Sequence, residues 1–224
     1  MHFLKLHPWH IPPDWAVIYQ KRLSRYISLV PNFTQIRIIA GVDASYNKQN
    51  VIGGIAILTY PDLTLLDYDS EVKEVNFPYI PGLLTFREGP VLIELFQKIK
   101  WNPDVIFFDG QGIAHPRKMG IATHMGLLLD RPTIGCAKSH LTGNYAKPGK
   151  HKGSYSLLFH KDSIIGAVVR TRNNVKPVFV SPGNHINLEK AIELTLSCTV
   201  SYRIPEPIRQ AHILVQKIKK ELEQ

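Results

Sequence analysis

The chain has 224 residues, 44% of them hydrophobic, which is enough to bury a full core and excludes a disordered protein. Its 27 Lys and Arg against 18 Asp and Glu give a net charge of +9, which favours a polyanionic partner, nucleic acid first. Cys136 and Cys198 lie far apart without CxxC or zinc-finger spacing, which excludes a disulfide framework and a structural zinc site and predicts buried thiols in a reducing compartment.

The first 15 residues contain three His and three Pro but no continuous apolar run, and the apolar runs elsewhere have the length of strands. A secretory leader and a membrane span are therefore not predicted. We expect a cytoplasmic protein without a membrane partner.

A helix and three strands are predicted in the first third of the chain. Asp14 is placed to cap a helix that runs to about Val30. Its apolar side is expected to carry Trp15, Ile18, Tyr26 and Ile27. Strands follow at 36–42, 51–60 and 63–75 as an antiparallel meander, with a turn at 47–50 and a Gly53–Gly54 pair that suggests a bulge or a close backbone approach.

Residues Pro78 to Gly82, PYIPG, predict a rigid loop, because two prolines fix the backbone around an aromatic and an aliphatic side chain. Such a loop suits a wedge that is pushed between stacked bases. The alternative is that Tyr79 and Ile80 pack against the core, which is the more frequent role of such side chains.

A helix is predicted from Thr85 to about Lys100, with Pro90 tolerated in its first turn. Glu88 then has an ordinary role as the third residue of a capping box that begins at Thr85. The alternative is that Glu88 faces the acids that end the neighbouring strands.

The stretch from Val105 to Lys118, VIFFDGQGIAHPRK, is the most informative one in the chain. Its four apolar residues have the length of a strand buried on both faces, and this strand stops at Asp109 as the first strand stops at Asp43. Gly110 and Gly112 permit a sharp turn and a close approach to a ligand, at the sheet edge where open α/β folds place their sites. A solvated turn is the alternative.

The second half of the chain continues with helices and strands. Helices are predicted at 119–129, 188–199 and 207–223, and strands at 132–137, 156–160, 164–172 and 178–181. Lys138 ends the strand at 132–137, and the lysine-rich loop 147–152 has the composition to touch phosphates. The order of elements predicts one domain, 1–224, with an α/β fold in which three antiparallel strands are followed by parallel strands and flanked by helices.

Asp43, Glu88 and Asp109 come together in this order of elements, because a right-handed crossover brings the two strand ends and the helix start to one place. Three close carboxylates repel one another unless a cation lies among them, and carboxylate oxygens select Mg²⁺ or Mn²⁺. Such an ion promotes in-line displacement at phosphorus. A basic protein with that site is predicted to be a metal-dependent nuclease.

Six segments resemble the endonuclease V family of deoxyinosine-specific nucleases. They are IAGVDASY (Ile39 to Tyr46), PYIPGLLTFREGP (Pro78 to Pro90), DGQGIAHPR (Asp109 to Arg117), GCAKSHL (Gly135 to Leu141), KPVFVSPG (Lys176 to Gly183) and RIPEPIRQAH (Arg203 to His212), in family order. The resemblance implies a ribonuclease-H-like fold, Mg²⁺ as the metal ion and DNA containing deoxyinosine as the partner. We further expect that Mn²⁺ substitutes for Mg²⁺ and that the protein is a monomer. It also implies hydrolysis of the second phosphodiester bond 3′ to the lesion, which leaves 3′-hydroxyl and 5′-phosphate ends and initiates DNA repair.

The resemblance further implies roles for individual residues. Asp43, Glu88 and Asp109 correspond to the metal-binding acids. Lys138 is expected beside the scissile phosphate and the nucleophilic water, and His212 is expected to act indirectly or through a water molecule. Tyr79 corresponds to the wedge that fills the gap left by a flipped base. The other predicted contacts with nucleic acid are Pro78, Ile80, Gly82, Leu84, Gly110, Gly112, Ile113, His115 and Ser139, of which His115 is expected on the strand backbone.

One departure from the family pattern lies in the loop after Gly183. Many members have His and Arg there, whereas this chain has Asn184 and His185, so a positive side chain is missing. If that loop contacts nucleic acid, we expect a different grip or preference for the substrate.

Two alternatives to DNA repair remain. The first is the same chemistry acting mainly on inosine-containing RNA, which some members of the family prefer. A preference for RNA requires a contact to the 2′-hydroxyl, and the sequence locates none, so it does not separate the two substrates. The second is a non-catalytic nucleic-acid-binding or nucleotide-cofactor protein. A dinucleotide fingerprint requires GxGxxG, whose third Gly is absent here, and three acids in a pure binding site would oppose phosphate contacts.

Overall fold

The computed structural model describes residues 1–224 and is built on one eight-stranded sheet. The strands are β1 (Ile38–Asn47), β2 (Asn50–Thr59), β3 (Leu65–Glu74), β4 (Val105–Phe108), β5 (Thr133–Ala137), β6 (Tyr155–His160), β7 (Ser163–Val169) and β8 (Val178–Pro182). The helices are α1 (Pro13–Leu23), α2 (Leu84–Lys98), α3 (Ile121–Leu129), α4 (Leu188–Ser197) and α5 (Glu206–Glu221). The strand order is β3-β2-β1-β4-β5-β8-β7-β6.

The predicted mixed sheet is confirmed. Strands β1 to β3 form the antiparallel meander, and β4 and β5 run parallel to β1. The last three strands add to the same sheet in antiparallel pairs, β5 with β8, β8 with β7 and β7 with β6. This ribonuclease-H-like arrangement puts the short, wholly buried strands β4 and β5 in the middle of the sheet.

Helices cover the sheet on both faces. Along β1, Ala40 and Val42 pack in the cluster that includes α2 and α3, whereas Ile39 packs in the cluster that includes α4 and α5. The close packing of β1 against α5 requires glycine at position 41, since a Cβ there would lie 2.0 Å from the carbonyl carbon of Pro207. Odd-numbered positions of β1 therefore face α5, which determines where the side chain of Asp43 points.

The Gly53–Gly54 pair marks a close approach, not a bulge. Both glycines lie in regular register, opposite Ala44 and Asp43. A Cβ on Gly54 would lie 2.6 Å from a methyl group of Val215 in α5. The pair therefore lets helices pack closely against β2.

The N-terminal segment before α1 packs over α2 and α3. The terminal amino group donates to the carbonyl of Phe96, and the N–H of Leu4 donates to the carbonyl of Leu128. The rings of His7 and His124 are joined by a hydrogen bond of 2.7 Å between their Nε2 atoms. The residues before Pro12 are therefore part of the folded structure.

Helix α1 differs from its prediction. It ends at Leu23 and continues only as a short 3₁₀ turn at Ser24–Tyr26, and Asp14 lies inside its first turn while Pro12 occupies the N-cap. The apolar side that was predicted is largely exposed, with Trp15, Ile18 and Tyr26 each more than half exposed. The helix buries Ala16, Gln20 and Leu23 instead, because Gln20 hydrogen-bonds the carbonyls of Gly82 and Met119.

Two expectations near the acids were also wrong. Strand β1 does not stop at Asp43 but continues to Asn47, since pairing with β2 extends to the hairpin. Helix α2 begins at Leu84 without a side-chain cap, so Glu88 closes no capping box and Pro90 falls in the second turn instead of the first.

None of the helices combines the length and apolar character that a membrane crossing needs. Cys136 and Cys198 are free and buried, as predicted.

Candidate active site

Parallel pairing of β1 with β4 brings Asp43 and Asp109 side by side. Val42 lies opposite Phe108, and the N–H of Asp109 donates to the carbonyl of Val42 at 3.0 Å, so the two acids are the next residues on neighbouring strands. Val42 and Phe108 face α2, and side chains alternate along a strand, so Asp43 and Asp109 face the opposite side, toward α5. The shared edge is the carboxyl end of β1, β4 and β5 in the middle of the sheet.

Glu88 reaches the same edge from α2. Its side chain is buried, and one carboxylate oxygen accepts a hydrogen bond of 2.9 Å from the hydroxyl of Tyr46. Burial, together with the nearby charges of Asp43 and Asp109, raises the pKa of Glu88 to about 8, while the hydrogen bond from Tyr46 opposes the shift. Glu88 therefore faces the strand acids, which is the alternative that the sequence left open.

Asp43 shares this environment. Burial and then the charge of Asp109 raise the pKa of Asp43, and its hydrogen bond to His212 acts in the opposite direction. His212, on α5, contacts Asp43 directly, with 2.6 Å between Nδ1 and Oδ2. A hydrogen bond to one of the predicted metal-binding acids agrees with the indirect role expected for His212, which stays a prediction.

Lys138 follows β5 and forms an ion pair with the carboxylate of Asp109. Its side chain is about two-fifths exposed, at 41%. The ammonium group therefore lies at the mouth of the site, where a phosphate can reach it. The pair also places one positive charge against the three carboxylates.

The chemistry of this cluster fits a hard divalent cation. Two of the three carboxylates have raised pKa values because burial and mutual repulsion oppose their charge, and a cation among them would relieve both effects. No three His, Cys, Asp or Glu side chains converge closely enough here to enclose an ion. Lys138 contacts the carboxylate of Asp109, and His212 contacts that of Asp43.

A cavity of about 380 Å³ opens beside Asp109 and Lys138. Its walls are the PYIPG loop, the turn at 109–111, the start of α3 and residues 137–141. This volume lies in the range of pockets that enclose small ligands. Of the predicted contacts, the cavity is lined by Tyr79, Ile80, Gly82, Leu84, Gly110, His115 and Ser139.

Tyr79 stands exposed at the rim of the cavity, with 73% of its surface accessible. A tyrosine that packed on the core would be buried, so this part of the core-packing alternative is excluded. Ile80 is half-buried against the cluster around Phe86 and does pack on the core. The loop therefore anchors Ile80 and presents Tyr79.

The PYIPG loop is held from below by three side chains, of which only His115 was among the predicted site residues. The carbonyl of Gly82 accepts hydrogen bonds from Gln20, Arg117 and His115, at 3.0, 2.8 and 3.0 Å. Nδ1 of His115 accepts from the N–H groups of Arg117 and Met119, so Nε2 carries the proton that is donated to Gly82. Burial and the charge of Arg117 lower the pKa of His115 to about 4, which keeps this ring neutral.

Three predicted contacts lie outside the cavity. Gly112 and Ile113 are buried against β8, where a Cβ on Gly112 would lie 2.1 Å from the carbonyl oxygen of Pro182. The close approach at Gly112 is thus to the protein's own backbone. Pro78 is exposed but does not line the cavity. His115 lines it, yet its buried ring is committed to the loop.

The departure at Asn184 and His185 lies at the far edge of the sheet. The N–H of Thr133, at the start of β5, donates to the carbonyl of Asn184, and the N–H of Asn184 donates to the hydroxyl of Thr133, whereas Lys138 follows the other end of that strand. Asn184 is buried and accepts from the N–H of Ser28, and the His185 ring contacts Asp130. The missing positive charge is therefore remote from the acids.

Comparisons with known proteins agree with this geometry. The family model described as Endonuclease V matches residues 21–213. An endonuclease V of Dictyoglomus turgidum is 49% identical over 203 residues, which are 91% of this chain and 89% of that protein.

Solved structures resemble the whole fold. Endonuclease V of Bacillus subtilis superposes with a TM-score of 0.95 at 30% identity, covering 100% of this chain and 99% of that one. Ciona intestinalis endonuclease V, solved with a 23mer DNA containing an inosine followed by a ribo-adenosine, gives a TM-score of 0.81 at 26% identity, covering 95% of this chain and 100% of that one.

Proposed function

Because the chain belongs to the endonuclease V family, we propose that it is a Mg²⁺-dependent endonuclease that recognises deaminated purines, above all hypoxanthine, in DNA. It hydrolyses the second phosphodiester bond 3′ to the lesion, leaving 3′-hydroxyl and 5′-phosphate ends, and so initiates DNA repair. Residues 1–224 act as one catalytic domain, in the cytoplasm and as a monomer, and Mn²⁺ substitutes for Mg²⁺.

The observation that carries the proposal is the position of the cavity. Tyr79 stands at one side of its rim, and Asp109 and Lys138 lie in its wall. A base that leaves a strand can enter this cavity while Tyr79 fills the place it vacates. The second phosphate 3′ to this base, which is the scissile one, then lies against Lys138. Recognition of the base and cleavage of the strand are therefore coupled, because Asp109 and Lys138 form part of the wall of the cavity that accepts the base.

The acids of the cluster, Asp43, Glu88 and Asp109, would hold the metal ion. When bound, the ion stabilises the negative charge that develops on the phosphate oxygens. Lys138 is free to exchange its ion pair with Asp109 for the scissile phosphate, which it would orient toward the attacking water. His212 fixes the orientation of the Asp43 carboxylate. Water adds to phosphorus as the bond to the 3′ oxygen breaks, and that oxygen leaves as the 3′-hydroxyl.

The same chemistry on inosine-containing RNA is the second candidate. The DNA bound by the Ciona protein carries a ribonucleotide directly after the inosine. A cleavage site that accepts a ribose at this position would also accept an RNA strand. DNA and RNA must therefore be compared in one experiment.

The test uses a labelled DNA strand with one deoxyinosine and the matching RNA strand with one inosine, with Mg²⁺ and again with excess chelator. We expect a Mg²⁺-dependent nick one bond beyond the lesion, and the ratio of the DNA and RNA rates assigns the preferred substrate. Strands that are bound but not cut in Mg²⁺ or Mn²⁺ would overturn the assignment of the acids.

A further inference from the structure

The charge of the chain is distributed unevenly across the sheet. Residues 131–188, which supply β5 to β8, contain nine Lys and Arg and a single acid, Asp162, so this segment carries a net +8 of the overall +9. Residues 62–74, which include β3 at the other edge, contain five acids and one Lys. A polyanion that approaches the cavity beside Asp109 and Lys138 is therefore attracted toward β5–β8 and repelled from β3.

The basic loops lie on the same edge of the sheet as the acids. Ala137, at the end of β5, pairs with Phe179 near the start of β8. Val178 pairs with Val169 at the end of β7, and that residue pairs with Tyr155 at the start of β6. The loops before β6 and between β7 and β8 consequently continue the edge that begins at Asp109 and Lys138.

These two loops are joined into one surface by Arg170, which is buried. Its guanidinium donates to the carbonyls of Pro148 and Gly149 in one loop and of Val175 in the other. Backbone bonds add to this, as the N–H of Asn174 donates to the carbonyl of Lys150 at 2.9 Å. We call residues 147–153 and 172–176 the basic platform.

Four cations project from the basic platform. Lys147, Lys150, Arg172 and Lys176 are exposed, and none of them forms an ion pair within the chain. Lys152 differs, because its ammonium group donates to the carbonyl of Thr199. Charges held on an ordered backbone without acidic partners are typical of surfaces that bind phosphates.

The basic platform is also tied to the catalytic edge. One nitrogen of the Arg203 guanidinium donates to the carbonyls of Lys138 and Pro177, at 2.8 and 2.7 Å. The backbone at Lys138 and the backbone that follows Lys176 are thus bridged by one side chain. A strand that passes Lys138 meets the platform next.

We propose that the basic platform binds the phosphodiester backbone of the nucleic-acid strand that flanks the cleaved site. This proposal rests on the proposed function only in that the active site accepts nucleic acid. Strand β6 is the third neighbour of β5, roughly 15 Å away at the usual strand spacing. A stacked strand covers that distance in about four nucleotides. Binding to the basic platform therefore depends on the length and charge of the strand and not on its base sequence.

The test compares two double variants of the full chain, each of which removes two positive charges. Lys150→Gln with Arg172→Gln alters the basic platform. Arg131→Gln with Lys161→Asn is the matched control at the opposite edge, where Asn suits the positive φ of Lys161. Binding is measured in chelator, on an inosine-containing single strand of about 30 nucleotides and on one with flanks under about four nucleotides.

We expect the platform variant to reduce the slope of log Kd against log salt by about 1.4 on the long strand, since each phosphate contact contributes about 0.7 for single strands. The control variant and the short strand should show the wild-type slope. Equal slopes for the platform variant and wild type on the long strand would overturn the proposal, as would an equal loss on the short strand. Because no cleavage is required, absence of nuclease activity would refute the proposed function without affecting this result.

Discussion

The acid cluster and the PYIPG loop differ in burial and in the kind of interaction that each can make with a nucleic acid. The proposed metal-binding acids Asp43 and Glu88 are buried, carry raised pKa values and are fixed by hydrogen bonds to His212 and Tyr46. Tyr79, at the rim of the cavity, is 73% exposed. We therefore expect the acids to act through their charge and Tyr79 to act through the contact area of its ring.

This difference predicts two kinds of mutant. Charge at a reacting centre acts on the transition state, so its removal changes the rate by orders of magnitude. A stacking side chain acts on binding, and its removal costs about 1–3 kcal/mol for each base. Substitutions of the acids should therefore abolish cleavage with binding retained, whereas changes at the loop should weaken selectivity and leave the chemistry intact.

The largest effect is expected from Asp109→Asn. Loss of this charge should reduce single-turnover cleavage of an inosine strand by about 10³-fold or more, on the scale of other electrostatic groups at reacting centres. Binding should be retained or strengthened, because a carboxylate that repels phosphate is gone. Quench-flow cleavage and filter binding on the same strand measure the two effects.

Asp162→Asn is the matched control for Asp109→Asn, since Asp162 is exposed in the turn between β6 and β7. It should cleave at the wild-type rate. Retention of more than about a tenth of the rate in Asp109→Asn would show that this carboxylate has no essential part in the chemistry.

A smaller effect is expected from Tyr79→Ala. If the ring replaces lost stacking, discrimination between an inosine strand and a normal strand should weaken by about 1–3 kcal/mol. Competition binding in chelator measures this difference directly. Tyr79→Phe is the control and should keep the discrimination, because it keeps the aromatic face. An unchanged preference in the alanine variant would refute the role of a wedge.

The sequence predicted that the acids lie close together, because apolar runs that end in an acid and the order of the elements can both be recognised along the chain. The runs that end at Asp43 and Asp109 were enough to place both at one edge, although β1 continues beyond Asp43. The ordinary capping explanation for Glu88 competed with the functional one, and only tertiary packing decided between them. Tyr46 and Gln20 were missed, since their partners lie 42 and 62 residues away and no periodicity records such contacts.

Tyr46→Phe tests whether the buried side depends on orientation as well as charge. It removes the hydroxyl that donates to Glu88 but keeps the ring beneath Arg87. Loss of a group that orients a metal ligand typically costs about 10–100-fold in metal affinity or activity. We expect the half-saturating Mg²⁺ concentration to rise by about tenfold with no change in inosine discrimination. An unaltered Mg²⁺ dependence would assign the hydroxyl a structural role only.

The smallest effect is expected from Arg117→Met, which removes the bonds from Arg117 to the carbonyl of Gly82 and to the side chain of Gln20. The methionine keeps much of the packing volume while the loop loses part of its support, so discrimination should fall by less than in Tyr79→Ala. Two residues that act through one loop are not independent, and their effects should not add. In a Tyr79→Ala background, Arg117→Met should therefore cause little further loss. Full additivity in this double-mutant cycle would mean that Arg117 acts on the substrate by a separate route and not through the position of Tyr79.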